Sequence, residues 1–146
     1  MARFRYRMQN ILNVKTKLET QARNEFAEAN MVLRAEEEKL EELVKRRADY
    51  EKNLKELYDG PLNVREINDT SQAIETIKYM EKVQMVAIKN AELQVEKKRE
   101  AMSEAVKDVK MHEKLKEKQF EEFRAEEAAK ESKEIDELVS YRFGEN

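Results

Sequence analysis

Apolar residues recur along the first part of the chain at alternating steps of four and three residues. Eleven such positions run from Ala22 to Leu57, and nine of them carry an apolar or aromatic side chain. The row is Ala22, Phe26, Ala29, Leu33, Glu36, Leu40, Leu43, Arg47, Tyr50, Leu54 and Leu57. A sustained period of about 3.5 residues is typical of a helix that packs in a coiled coil.

Before Ala22, the apolar row is predicted to continue through Ile11, Val14 and Leu18. Along that path an extra step of four residues interrupts the heptads. Such a stutter is expected to unwind the supercoil locally.

A second seven-residue pattern fills the later part of the chain, and seven of its nine positions are apolar. Its members are Ile67, Ile74, Glu81, Ile88, Val95, Met102, Val109, Lys116 and Phe123. The companion row is more polar and consists of Thr70, Ile77, Gln84, Ala91, Lys98, Ala105, His112 and Gln119. The second helix therefore has the less regular seam. Met85, Val106 and Phe120, which lie next to seam positions, are expected to fill the gaps in it.

Helix-breaking residues cluster only at positions 59–63. Gly60 can adopt the left-handed conformation that ends a helix, and Pro61 cannot continue one. Asn63 and Glu66 have the spacing of a capping box, which favours a new helix from about Val64. A connection this short directs the second helix back along the first.

These patterns predict an all-α fold, a long antiparallel two-helix coiled-coil hairpin. We expect a single coiled-coil domain over residues 1–146, with helix one at about 3–58, a loop at 59–63 and helix two at about 64–140. If Leu57 faces Ile67, the numbers of paired residues sum to about 124. The second helix then extends beyond the first by about 20 residues, or about 30 Å.

Charge is high and evenly mixed. Charged residues make up 42% of the chain, hydrophobic residues 40%, and the net charge is −3. The interspersed charges give no basic face for nucleic acid. No apolar run approaches the length of about 18 residues that a membrane span requires. With no cysteine and no secretory signal, a cytoplasmic protein is expected.

The sequence does not contain a combination of residues that is typical of a catalytic site. His112 is the single histidine, so it offers neither a metal quartet nor a nucleophile–base pair, and a structural role is expected for it. Carboxylate pairs on a solvated helix have nothing to shift their pKa. We therefore expect no enzyme activity, no cofactor and no metal.

Two features go beyond a plain coiled coil. Residues 1–23 carry six basic side chains and one acidic, whereas residues 121–137 carry eight acidic and three basic. In the predicted hairpin both of these segments lie at the end opposite the loop. Aromatic and apolar residues also occur there: Phe4, Tyr6, Met8, Leu138, Val139, Tyr141 and Phe143. Near the loop, Tyr58, Ala73, Tyr79 and Met80 lie off the seam, where they either broaden it or form a docking patch.

Three segments resemble one known family. Residues 4–12 read F-R-Y-R-M-Q-N-I-L, similar to the F-x-Y-R-L-Q-x-L-L start of the FliJ family, a stalk protein of the flagellar type III export apparatus. Residues 131–137, E-S-K-E-I-D-E, resemble that family's E-x-K-x-x-D-E ending, and residues 113–118 its charged E-K-L segment. The resemblance spans nearly the whole chain.

The resemblance implies a non-enzymatic stalk or adaptor. Family members insert their terminal end into the hexameric ring of the export ATPase and promote its assembly and activity. They also contact the cytoplasmic domain of the export gate and export chaperones, so they are peripheral to the inner membrane through partners only. Charge and resemblance together suggest ring contacts at Arg3, Arg5, Arg7, Glu131, Glu134, Asp136 and Glu137.

The gate contact implied by the resemblance matches Leu43, Tyr50, Ala73, Ile77, Met80 and Gln84. Leu43, Tyr50 and Ile77 are also seam positions, so packing and docking are alternatives for them. Two other functions stay open at this stage: a structural or oligomerising coiled-coil spacer, and a chaperone for export clients.

Overall fold

The computed structural model describes residues 2–144 and contains two helices, α1 (Gln9–Tyr58) and α2 (Val64–Gly144). No strand occurs among these residues, which confirms the all-α prediction. The chain divides into two compact units, each built from a segment of both helices. The loop unit is Ala22–Met102, and the terminal unit is Met1–Gln21 with Ser103–Asn146. The single-domain prediction stays a prediction.

In the loop unit the two helices run antiparallel in the predicted register. Three contacts cross between them, Glu25 with Lys98, Glu36 with Gln84, and Arg47 with Glu81. The sums of their residue numbers lie on either side of 124. Every position of the predicted rows in this unit is buried or half-buried except Tyr50, which confirms the period of the coiled coil. Of the three proposed gap-filling residues, Met85 and Phe120 are exposed instead, and only Val106 is half-buried.

The connection between the helices forms largely as its sequence suggests. The Asn63 side-chain oxygen accepts a hydrogen bond from the Glu66 backbone N–H at 3.3 Å, so Asn63 caps α2. Gly60 differs from the prediction, because no described residue has a positive φ angle. Instead, the Asp59 N–H bonds the Glu56 carbonyl at 3.2 Å in a tighter last turn. A left-handed residue is therefore not needed before Pro61.

In the terminal unit, α1 begins at Gln9, later than the expected residue 3. Residues 2–6 have no regular secondary structure, and exposure alternates along the segment. Phe4, Tyr6 and Met8 pack inward around Leu12 and Val109, whereas the arginines between them are exposed. A period of two matches a non-helical chain, since a helix would spread these aromatics over different faces.

The predicted stutter is wrong. Ile11, Val14 and Leu18 are 45%, 55% and 47% exposed, and Leu12 is buried instead. Apart from Gln9, the half-buried or buried positions of this stretch are Met8, Leu12, Lys15 and Glu19, which continue the steps of four and three without interruption. The heptad phase prevails because the Lys15 stem can lie along the seam while its ammonium group reaches Asp108 at 3.4 Å.

The end of α2 has no partner helix among the described residues. The helix continues to Gly144, slightly beyond the expected end at about residue 140. Every residue from 128 to 144 is exposed. This segment is the predicted extension beyond the first helix.

Candidate partner-binding surfaces

The arginines near the N-terminus project from a segment that aromatic contacts hold in place. The Phe4 ring lies 5.1 Å from the Phe120 ring in an edge-to-face arrangement and 5.5 Å from the Phe123 ring. Tyr6 is buried against the same helix. Because inward aromatics fix the backbone, Arg3, Arg5 and Arg7 are presented together on the exposed side.

The acidic residues suggested by the sequence lie in the same unit, on the unpartnered end of α2. Glu131, Glu134, Asp136 and Glu137 are all exposed. None of the four makes an ion pair with a residue among positions 2–144. The terminal unit thus carries an exposed basic segment and an exposed acidic segment.

The six suggested gate-contact residues fall into two groups. Leu43 and Ile77 are only 8% and 6% exposed and belong to the core of the loop unit. Ala73 and Gln84 are half-buried, whereas Tyr50 and Met80 are exposed. The core residues therefore hold the two helices together, and direct contact with a partner is open to Tyr50 and Met80.

The off-seam residues near the loop are mostly exposed. Tyr58 and Tyr79 have most of their surface free, and Met80 is also exposed. Only Ala73 is half-buried. Tyr58, Tyr79 and Met80 therefore do not broaden the seam, and a docking patch at these residues stays a prediction.

The polar seam positions of the loop unit pair with one another. Arg47 Nε donates to Glu81 Oε1 at 2.8 Å, and Arg47 Nη1 donates to Glu51 Oε1 at 3.2 Å. Gln84 donates to the backbone carbonyl of Glu36 at 2.8 Å and also to the Glu36 carboxylate. These specific partners fix the register of the helices where apolar packing alone would tolerate a slip.

Hydrogen bonding shifts the proton affinity of this polar layer. The bond from Gln84 lowers the pKa of Glu36 below its ordinary 4.5, an effect that partial burial opposes and Lys39 reinforces. The hydrogen bond to Glu81 raises the pKa of Arg47. Both shifts favour the charged forms, as expected for paired groups in a seam.

Other kinds of site find no support in the described part of the chain. No group of three or more potential metal-binding side chains occurs among residues 2–144. Neither α1 nor α2 contains a stretch apolar enough to cross a bilayer.

Comparison with known families shows which family the chain belongs to. The family model of the flagellar FliJ protein matches residues 4–146. The chain belongs to the FliJ family. It is therefore a stalk protein of a flagellar type III export system, from a family of structural or adaptor proteins rather than enzymes.

A solved structure has the same fold as this FliJ-family chain. The YscO homologue CT670 from Chlamydia trachomatis aligns over 94% of each chain with a TM-score of 0.68. The two sequences are 21% identical, so the similarity concerns the fold. A comparison with curated proteins gives no match.

Sequence reasoning missed one exposed surface of this FliJ-family chain. It assigned Ile11, Val14 and Leu18 to the seam because they are apolar and Lys15 and Glu19 are not. Counting the heptad backward from Ala22 without regard to polarity would have found the observed phase. The apolar residues left outside the seam are a feature that the coiled coil itself does not require.

We expect the Gln84–Glu36 bond to make stability depend on pH. Because the folded-state pKa of Glu36 is below 4.5, its contribution is fully present above pH 4.5 and is lost as the pH falls through the lowered value. Gln84→Ala should therefore cost more stability at about pH 7 than at about pH 3, as measured by urea unfolding. A constant difference at both pH values would contradict this expectation, and Glu36→Gln provides the non-titrating control.

Proposed function

We propose that the chain is a stalk that inserts its terminal unit into the hexameric ring of the export ATPase and promotes ring assembly and activity. It also contacts the cytoplasmic domain of the export gate and the export chaperones. In this proposal it acts in the cytoplasm, at the cytoplasmic face of the inner membrane, and is held there by its partners. Membership of the FliJ family supports this role.

The observation that carries the ring proposal is the pair of charged segments in the terminal unit. Arg3, Arg5 and Arg7 are exposed on a segment that aromatic packing orders in advance. The acids Glu131, Glu134, Asp136 and Glu137 lie on a helical segment that has no partner helix among the residues that the structure describes. Preformed charged groups lose little conformational entropy on binding, and they can steer a partner of complementary charge.

The gate contact is proposed for the loop unit and centres on Tyr50 and Met80. Both are exposed, and they flank the buried pair Leu43 and Ile77 on opposite helices. Exposed Tyr and Met side chains are frequent in protein interfaces. In this arrangement Leu43 and Ile77 set the distance between the two helices, together with Ala73 and Gln84. That distance fixes how Tyr50 and Met80 are positioned for the gate.

Removing residues 131–146 should abolish stimulation of the cognate export ATPase. The deletion takes away the exposed acids but none of the residues buried in the terminal unit's core. Helicity should fall only by the residues removed, as circular dichroism would show. Stimulation that persists at the wild-type level would reject the proposed ring contact.

Replacing Tyr50 and Met80 with alanine should weaken binding to the gate domain about tenfold or more while leaving ATPase stimulation intact. Both side chains are exposed, so the fold should be unaffected. Met31→Ala and Val86→Ala form a matched control, because they truncate exposed apolar side chains of the same unit. Titration calorimetry measures the affinity for the gate domain. Equal losses of affinity in the test and control variants would show that Tyr50 and Met80 make no specific contact with the gate.

A further inference from the structure

One side of the terminal unit exposes a group of apolar side chains contributed by both helices. On α1 these are Ile11, Val14 and Leu18, and on α2 they are Met111 and Leu115. We call this set the apolar flank. Meanwhile the seam beside it contains Lys15, Glu19 and Lys116, so apolar residues lie outside while polar residues lie within.

The heptad positions place these five residues on one side of the helix pair. With Leu12 and Lys15 in the seam of α1, Ile11 and Leu18 occupy the g position and Val14 occupies c. On α2, with Val109 and His112 in the seam, Leu115 is at g and Met111 at c. In an antiparallel pair the g and c positions of both helices share a side, and the Lys15–Asp108 ion pair at 3.4 Å lies there too.

The opposite side of α1 in this unit is polar and satisfied internally. Gln9 donates to Asn13 at 2.9 Å, and the hydroxyls of Thr16 and Thr20 donate to backbone carbonyls one turn earlier. The contrast between the two sides is therefore a property of the fold rather than of general composition. An apolar strip between two helices fits a third amphipathic helix.

The border of the apolar flank is predominantly basic. Four exposed lysines surround it, and none makes an ion pair among residues 2–144: Lys17, Lys107, Lys114 and Lys118. The acid Asp108 on this side is already paired with Lys15. Its exposed neighbour Glu104 lies one turn farther along. The helix that best complements this border carries acids beside its apolar stripe.

This chain contains such a helix. Ile135, Leu138 and Val139 are exposed on the unpartnered end of α2 at the spacing of one helical face. Glu134 and Asp136 lie on either side of that face, and Glu131 lies on it one turn before Ile135. The segment is helical, acidic at its border and without a partner helix among residues 2–144, which makes it complementary to the apolar flank.

We propose that two copies of the chain associate by exchanging these elements, the acidic C-terminal segment of each packing on the apolar flank of the other. A single copy cannot make the contact, because Leu115 and Ile135 lie on one continuous helix about 30 Å apart. A two-fold axis satisfies both sites at once, so the pair is closed and does not extend into a filament.

The exchange goes beyond the proposed function and has a consequence for it. The acids that the ring contact would use, including Glu131 and Glu134, are covered in the pair. Self-association therefore competes with insertion into the ring, and the dimer is a form of the protein that does not bind the ATPase. The pairing itself requires no ATPase, so its test is independent of the proposed function.

Sedimentation velocity of the full-length chain over a range of concentrations tests the proposal. Wild type should form dimers, and Val14→Asp and Leu138→Asp should each raise the dimer dissociation constant about tenfold or more. Val86→Asp, an exposed valine in the loop unit, should have no effect. A wild-type chain that stays monomeric, or a dimer unaffected by Leu138→Asp, overturns the exchange.

A charge swap makes the test specific. Copies with Lys114→Glu and Lys118→Glu should not pair with themselves, and neither should copies with Glu131→Lys and Glu134→Lys. A mixture of the two should restore the dimer, because each of its two contacts again joins opposite charges. If the mixture remains monomeric, the acidic segment does not occupy the flank.

Discussion

A chain in which Arg3, Arg5 and Arg7 are all replaced by glutamate will fold normally and no longer stimulate the export ATPase. The three side chains are exposed, whereas Phe4 and Tyr6 between them keep the segment in place. Reversing three charges turns attraction into repulsion at any acidic surface of the ring. Since one lost charge pair in an interface costs about 2 to 5 kcal/mol, we expect stimulation to fall to the basal level.

The control for this variant is an equal charge reversal in the loop unit. Arg34, Lys52 and Lys89 are exposed and make no ion pair among the described residues. Their replacement by glutamate should leave stimulation nearly unchanged, measured as phosphate release at several stalk concentrations. Equal losses in both variants would mean that net charge, rather than the N-terminal segment, governs the interaction. Unaltered stimulation by the N-terminal variant would exclude these arginines from the ring contact.

Replacing Arg47 with leucine will lower the free energy of unfolding measurably, because it leaves a carboxylate in the seam without its partner. Its partner Glu81 has a side chain only 9% exposed, while that of Arg47 is 31% exposed. Removal of the guanidinium leaves the Glu81 carboxylate in the seam without its bond of 2.8 Å. Urea unfolding followed by circular dichroism measures the loss.

The double variant Arg47→Leu with Glu81→Leu should recover most of that stability. Two leucines would continue the apolar row where the charged pair now interrupts it, and such replacements are commonly neutral or stabilising. Arg46→Leu, at the exposed neighbouring position, serves as the control and should change stability little. If the double variant is no more stable than the single one, the loss does not come from the stranded carboxylate.

These two experiments probe different properties of the same helices. The arginines of the N-terminal segment contribute to a surface, so their substitution should change binding but not folding. Arg47 and Glu81 contribute to the register, so their substitution should change folding first. An altered register would displace Tyr50 relative to Met80, because they lie on different helices. Gate binding should therefore decline in Arg47→Leu even though Arg47 is outside the proposed contact.

The sequence by itself determined the two helices, their junction and their register. Asn63 and Pro61 specify the connection through local chemistry, and the rows ending at Leu57 and starting at Ile67 align the helices through periodic burial. Interactions within a few residues and a strict repeat are sufficient for all of these features.

Only the tertiary structure decided which residues face the partner helix near the N-terminus. Polarity favoured Ile11, Val14 and Leu18, yet the seam takes Leu12, Lys15 and Glu19. A helix cannot rotate one segment independently of the next, so the phase set by the longer apolar row is imposed on the shorter one. The pairing of Arg47 with Glu81 likewise needed the second helix, because a polar residue in a seam is stable only if its partner lies opposite. Long-range packing thus left an apolar flank exposed that the polarity of this segment alone does not indicate.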